Sequence, residues 1–178
     1  MTILRKALWT LPRHLASRSR RKSRGQALVE FSLFVPLLML IVIGATDIST
    51  LLDDHLDVVF AARAGARVGS VIGSYSPTSA PYTADCAVVG AVRAALASTR
   101  NVTVTQIAIY KSGANGDYSS TLPQDVYPGN ATCQANGIPS PSATKTTWAP
   151  SARSATPFIE DSIGVAITYT YTFQFNPL

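Results

Sequence analysis

The sequence predicts an α+β protein. A long N-terminal helix, half transmembrane and half amphipathic, is followed by a second helix and a small antiparallel sheet. Three observations lead to this class: a membrane-length apolar run near the N-terminus, a helical periodicity that continues from it to Ile72, and a strict apolar/polar alternation over residues 162–175.

Charge is distributed unevenly along the chain. Residues 1–25 contain eight Lys and Arg and no acid, whereas the remainder has seven basic and ten acidic residues. A basic leader directly before an apolar helix indicates membrane orientation rather than nucleic-acid binding, because cytoplasmic flanks carry the excess of Lys and Arg. We therefore expect a basic cytoplasmic leader at 1–25 and a C-terminus outside the cytoplasmic membrane.

The apolar run from Ala27 to Ala45 has 19 residues and is interrupted by Glu30, close to the roughly 20 that span a bilayer. It fits a secretory signal cut near Ala45, an uncleaved signal anchor, or a prepilin-type signal cut on the cytoplasmic side after Gly25. An acid at this depth costs roughly 2.5–3.5 kcal/mol or more, so a functional partner is expected. Cleavage after Gly25 would create such a partner, the new amine of Gln26, and Glu30 therefore favours the third interpretation.

Residues Arg24–Phe31 read RGQALVEF, followed by an apolar run with Pro36, and residues 62–67 read ARAGAR. This combination resembles the TadE/TadF-like minor pilins, or pseudopilins, of tight-adherence pili. The resemblance implies cleavage after Gly25 by a prepilin peptidase and assembly through Glu30 and Phe31. It also implies partnership with other pilins and the pilus assembly platform, and a place in the membrane or in a surface pilus. The alternative is an uncleaved, membrane-anchored binding domain outside the membrane.

Pro36 is the one strong helix breaker between Gln26 and Ile72, and transmembrane helices tolerate proline. The sequence therefore predicts a transmembrane helix at 26–46 and an external continuation at 47–73. Small residues recur every fourth position on one face of that continuation: Ala61, Gly65, Gly69 and Gly73. They either let another helix or a sheet approach closely or simply fray the helix end. Arg63 and Arg67 form a basic edge that could pair with acids of a neighbouring subunit or remain solvated.

The exported head at 74–178 is expected to contain a helix from Ala84 to about Ser98, capped by Thr83, and a strand over 101–110. The apolar register shifts around Gln106, which indicates a bulge or burial on both faces. Residues 111–157 are rich in Gly, Ser, Thr, Asn and Pro. They suggest a loop-rich insert on the surface, with one or two short strands near Val126 or Trp148. The alternation over 162–175 predicts a half-buried strand with seven apolar residues facing the core.

Two cysteines, Cys86 and Cys133, lie in the part expected outside the cytoplasm, where an even count favours a disulfide. Zinc-ligand spacing and the usual catalytic motifs are absent from the sequence, and the adjacent acids Glu160 and Asp161 fit a turn better than paired acid/base catalysis. We expect no metal, no cofactor and no enzymatic activity. The sequence predicts either a structural pilus-assembly subunit or an anchored binding domain.

Overall fold

The computed structural model describes residues 22–113, 115–154 and 160–174. It confirms the predicted α+β class. Two α-helices, α1 (Lys22–Ile72) and α2 (Thr83–Ala95), precede six strands in the sequence. The strands are β1 (Val102–Lys111), β2 (Gln124–Pro128), β3 (Thr132–Cys133), β4 (Pro139–Ser140), β5 (Lys145–Thr146) and β6 (Ile163–Tyr171). A short 3₁₀ turn covers Pro150–Ala152. Most of the expected leader, residues 1–21, lies outside the described residues.

The chain divides into two compact units, residues 1–45 and 46–178. In the first unit, α1 carries the apolar run, and its large apolar side chains from Leu28 to Val42 are exposed except Val35, which is partly buried. The helix is long and apolar enough to cross a membrane by length and composition. Such a helix satisfies its own backbone hydrogen bonds, which is the requirement for crossing hydrocarbon.

In the second unit, four strands form an antiparallel sheet in the order β5-β2-β1-β6, and β3 pairs with β4 separately. Ile109 at the centre of β1 lies opposite Asp125 on β2 and Val165 on β6. The register between β1 and β6 shifts between Val104 and Gln106. The predicted irregularity near Gln106 is therefore a β-bulge, and it is followed by four consecutive buried residues, 107–110.

The core lies where α2 and the external part of α1 pack on the sheet. Three valines of α2 are fully buried (Val88, Val89 and Val92), together with Ala61 of α1 and Ile107, Ile109 and Tyr127 of the sheet. Each buried aliphatic side chain of this size contributes about 1.5–3 kcal/mol relative to an exposed one. The predicted apolar side of α2 is thus the side that faces the core.

The predicted cap of α2 is wrong. Thr83 is the first helical residue, the capping position is Tyr82, and no side chain caps the helix. The Thr83 hydroxyl instead donates to the carbonyl oxygen of Ala80 at 2.7 Å, stabilising the preceding turn. The helix also ends at Ala95, earlier than predicted, because residues 96–99 close turns of their own.

A short strand is present near Val126, as predicted, but the expectation that residues 111–157 decorate the surface is wrong for that strand, Gln124–Pro128. This segment is β2, an inner strand of the sheet, and its first four residues are buried. A polar segment can occupy that place because its groups are satisfied. The backbone N–H of Gln124 donates to Thr147 Oγ1 at 2.9 Å, and Asp125 Oδ1 accepts the backbone N–H of Trp148 at 3.0 Å.

The predicted apolar face of the last strand is also shorter than expected. Pairing with β1 ends at Tyr171, which lies opposite Val102. Phe173 follows the strand, is 51% exposed, and contacts the edge of the Tyr171 ring with centroids 5.2 Å apart. Phe175 lies outside the described residues.

Candidate functional site

The start of the apolar helix brings the residues expected at the processing site onto one helical segment. Gly25, Gln26, Glu30 and Phe31 are all helical and exposed. Gln26 Nε2 donates a hydrogen bond to Glu30 Oε1 at 3.1 Å, as side chains four apart on a helix can. The position of residue 26 and the carboxylate of residue 30 therefore share one face, one turn apart.

Gly25 has open space around it. A Cβ atom added there would meet no atom of the described residues within 4 Å, so packing among those residues does not explain the glycine. Glycine lowers helix stability by about 1 kcal/mol relative to alanine. It also leaves the peptide bond after it accessible from the side that a larger residue would cover. Both properties suit a bond that a protease must unwind and cut.

The small residues of the external part of α1 lie against two other elements of the head. A Cβ added at Gly65 would lie 2.6 Å from Val92 Cγ2 of α2 and 3.5 Å from Val165 Cγ2 of β6. At Gly69 it would lie 3.0 Å from Ile163 Cγ2. Ala61 is completely buried. This face is therefore occupied by the chain's own second helix and last strand.

Gly73 follows the last residue of α1 and has the least space of the four. An added Cβ would overlap Ile163 Cδ1 and the carbonyl oxygen of Gly69. Its own carbonyl oxygen accepts a hydrogen bond from Arg153 Nη1 at 2.8 Å. The end of α1 is thereby fixed to the tract that precedes β6.

Two tyrosines of β6 lie within hydrogen-bond distance of side chains at positions 50 and 55 of α1. The hydroxyl of Tyr169 lies 2.9 Å from His55 Nδ1, and that of Tyr171 lies 3.0 Å from Thr50 Oγ1. Together with the contacts at Gly65 and Gly69, they show that β6 runs antiparallel to residues 50–69 of α1. The aromatic residues of this strand thus serve packing and anchoring.

A buried ion network joins the elements of the head and had no signal in the sequence. Arg153, 6% exposed, pairs with Asp85 of α2 at 2.6 Å and with Asp125 of β2 at 3.3 Å, and both acids are fully buried. Its guanidinium also lies 4.7 Å from the centre of the Trp148 ring. The Tyr127 hydroxyl donates to Asp85 Oδ2 at 2.7 Å. The two acids lie 28 and 68 residues from Arg153 in sequence, so no local pattern could indicate the ion pairs.

The network contains two carboxylates and one guanidinium. Burial raises the pKa of Asp125 to about 6, and the neighbouring charge of Asp85 adds to the rise, against the lowering effect of the Trp148 N–H. Burial beside Asp85 likewise raises the pKa of Tyr127. At the surface the hydrogen bond from Lys111, 2.6 Å away, lowers the pKa of Asp161. Asp161 also accepts the backbone N–H of Ser154 at 2.9 Å, which is the turn role expected of it.

The predicted disulfide is confirmed. Cys86 of α2 and Cys133 of β3 are bonded, with Cα atoms 5.2 Å apart. The bond ties the short β3–β4 hairpin to the buried side of α2. Within residues 22–113, 115–154 and 160–174, no group of three or more His, Cys, Asp or Glu could hold a metal ion.

Comparison with known protein families gives one match. Residues 25–67 match the family model for TadE-like proteins, which confirms the TadE-like resemblance over that segment. The matched segment begins at Gly25 and ends at Arg67, so it contains the proposed cleavage site, Glu30 and the arginine pair. No curated protein and no solved structure matches the chain significantly.

Proposed function

We propose that this chain, whose residues 25–67 form a TadE-like segment, is an assembly subunit of a tight-adherence-type pilus. It would be a minor pilin or pseudopilin, cut after Gly25 and anchored by the apolar helix that follows. The observation that carries the proposal is the placement of Glu30. The acid lies one turn after Gln26, on the same face of a helix apolar enough to span a membrane.

The chemistry of this placement favours assembly. Before cleavage, Glu30 has the Gln26 amide as a neutral partner. After cleavage, Gln26 bears a protonated amine, and both the amine and the carboxylate are costly to leave unpaired near hydrocarbon. Side-by-side association lets the amine of one subunit pair with the carboxylate of another, where low dielectric strengthens the attraction. Processing would in this way prepare the helix for assembly.

The family supports a structural role. TadE-like proteins are structural pilus components rather than enzymes. Three buried charged side chains of the head, Asp85, Asp125 and Arg153, pair with one another, and Tyr127 donates to Asp85. These contacts hold the elements of the head together, which supports a structural role. The head would therefore be a rigid body carried by α1, with other pilins, the assembly platform and the prepilin peptidase as partners.

Processing can be tested with a matched pair of glycine variants. Gly25→Val and Gly44→Val both place a side chain on α1 where an added Cβ meets nothing within 4 Å. Neither should disturb packing within the chain. We expect Gly25→Val to accumulate as full-length precursor in the membrane and Gly44→Val to mature. Normal maturation of Gly25→Val would contradict cleavage at this bond, and an intact leader in the unmodified protein would favour the anchored binding domain.

Assembly can be tested separately at Glu30. Glu30→Ala should still insert and be cut, because the intramembrane charge is removed and Gly25 is unchanged. Its recovery in sheared pili, or its co-purification with a partner pilin, should be lost. Ser32→Ala is the control, since the Ser32 hydroxyl donates to the carbonyl oxygen of Val29 within its own helix. Normal piliation with Glu30→Ala as the sole copy would remove the amine–carboxylate mechanism.

A further inference from the structure

The last strand, β6, forms one edge of the four-stranded sheet. In the described part of the chain it pairs with β1 and with no other strand. It has nine residues, whereas β5 at the opposite edge has two. A long edge strand presents a row of unpaired backbone N–H and C=O groups, and another chain can pair with that row.

The pairing with β1 shows which backbone groups of β6 form this row. The N–H of Ser112 donates to the carbonyl oxygen of Ser162 at 2.7 Å, and the N–H of Thr172 donates to that of Asn101 at 2.9 Å. In an antiparallel pair the bonded positions alternate along each strand. The extra residue of the bulge lies on β1, so even-numbered positions of β6 are directed toward β1 along the whole strand. Five positions direct their N–H and C=O groups to the free edge: 163, 165, 167, 169 and 171.

The sequence of β6 lacks the features with which edge strands avoid such pairing. Natural edges are blunted by charged side chains, above all Lys, by proline, by bulges or by being very short. The nine residues of β6 read IGVAITYTY, with no charge and no proline. In contrast, β5 is short and begins with Lys145. Helix α1 contacts side chains of β6 at 163, 165 and 169, so it covers a face of the strand rather than its edge. The contrast within one sheet favours pairing at the β6 edge.

We propose that an extended segment of a different pilus subunit pairs with the free edge of β6 and adds a fifth strand to the sheet. The inference rests on the proposed function, because it takes the partner to be a subunit of the same pilus. Backbone hydrogen bonds at the five odd-numbered positions supply the attraction. Side chains at alternate positions of the added segment supply the specificity.

The surroundings of the edge define the sequence pattern of that segment. On one face of the sheet, His55 Nδ1 of α1 lies 2.9 Å from the Tyr169 hydroxyl. Ile48, seven residues before His55, shares that side of the helix and is 59% exposed. On the other face, Thr168 and Thr170 are exposed. The added segment therefore alternates apolar residues on the α1 side with small polar residues on the threonine side, as β6 itself does.

A symmetric pair of β6 strands from two copies does not fit this edge. β6 runs antiparallel to residues 50–69 of α1, so two antiparallel β6 strands would require α1 helices that run in opposite directions. Chains anchored in one membrane through their N-terminal helices run parallel. Two parallel β6 strands related by a twofold axis bring identical residues level, whereas parallel bonding needs staggered ones. The β5 edge of a second copy has two residues, too few for five positions. These restrictions favour a different chain.

Hydrogen exchange at single-residue resolution tests whether the edge is paired. The full chain is isolated in mild detergent from cells that make it alone and from cells that make the whole pilus. We expect amides at even positions of β6 to be protected in both samples, because they bond to β1. Amides at the five odd positions should exchange several-fold more slowly only when the other subunits are present. Equal exchange in the two samples would overturn the proposal. Protection of the odd positions in protein made alone would also overturn it, in favour of a second copy.

Photo-cross-linking tests whether the partner is a strand. Benzoylphenylalanine is placed at Thr168 or at Thr170, two exposed positions on one face of β6, in cells that make the whole pilus. We expect both to capture one segment of another subunit, at sites two residues apart, because side chains two apart lie on the same face of a strand. Capture of unrelated segments, or of β5 from a second copy, would overturn the proposal.

Charge on the edge gives a matched pair of variants. Thr168→Lys with Thr170→Lys places two charges on β6, and Gln106→Lys with Thr103→Lys places them at the directly opposite positions of β1. All four residues are exposed. Because edge lysines oppose strand addition, the β6 pair should lower the partner-dependent protection of the odd positions several-fold, and the β1 pair should leave it unchanged. Continued protection of the even positions shows that each variant is folded. Equal effects of the two pairs would overturn the proposal.

The mass of the N-terminus is measured in the same samples, so that the two proposals fail separately. Cleavage after Gly25 without partner-dependent protection contradicts the fifth strand and leaves the pilin proposal intact. Partner-dependent protection in a chain that retains its leader supports strand addition and contradicts the processing on which the proposed function depends.

Discussion

Replacing Gly65 with alanine adds one methyl group where α1 lies closest to α2. The new Cβ would lie 2.6 Å from Val92 Cγ2, about 1 Å inside the usual carbon–carbon contact distance. Val92 is fully buried and, being β-branched, has few alternative rotamers. Overpacking of this kind costs about 1–3 kcal/mol, against a gain of about 1 kcal/mol in helix propensity. We expect a net loss of up to about 2 kcal/mol in the free energy of unfolding of the head.

Gly90→Ala is the matched control. It makes the same change within a helix of the head, but its Cβ would lie 4.0 Å from Cys133 Sγ, an ordinary contact. The propensity gain should then dominate and stabilise the head by up to about 1 kcal/mol. Denaturant unfolding of the full chain in detergent, followed by Trp148 fluorescence in a Trp9→Phe background, measures both variants. If Gly65→Ala stabilises the head as much as Gly90→Ala does, the close approach of the two helices is not what the glycine provides.

Three further predictions concern the head. Cys133→Ser should make the β3–β4 tract sensitive to limited proteolysis. The disulfide to Cys86 closes a loop, and the chain-entropy model gives it a stabilisation of roughly 4 kcal/mol. Unchanged cleavage kinetics would contradict this. Arg153→Met should cost about 3–5 kcal/mol in urea unfolding by leaving two buried acids without their cation, and a near-neutral effect would show that the acids find other partners. The pKa of Asp125 is raised to about 6, above its unfolded value of about 3.9, so the folded head binds more protons between these values. Its contribution to stability should therefore fall as pH rises from about 4 to about 6, and Asp125→Asn should remove this slope from unfolding curves.

The parts of the fold that sequence predicted are those with a local cause. The apolar run after Gly25 and the apolar/polar alternation of β6 each lie within a single element. The shift in apolar register near Gln106 likewise indicated the bulge in β1. The central strand β2 was missed as an inner strand because Gln124 and Asp125 interrupt any alternation. They are tolerated inside only because distant groups bond to them.

The candidate site divides in the same way. Gly25 and Glu30 could be identified as candidate site residues because the prediction rests on their spacing within a single helix. The network around Arg153 could not, since that arginine lies in a tract of Ser, Thr and Pro and meets its partners only after the chain folds.

The central claim is that the chain is cut after Gly25 and enters assembly through the amine that results. Intact-mass analysis of protein isolated from membranes and from sheared pili tests it most directly. We predict a chain that begins at Gln26 and retains its free amine. A mass lower by one molecule of ammonia would show that Gln26 has cyclised and that its amine is no longer charged. Glu30 would then have no cationic partner at residue 26, which would contradict the pairing mechanism. A chain that retains residues 1–25, or that begins beyond Ala45, would contradict the claim as a whole.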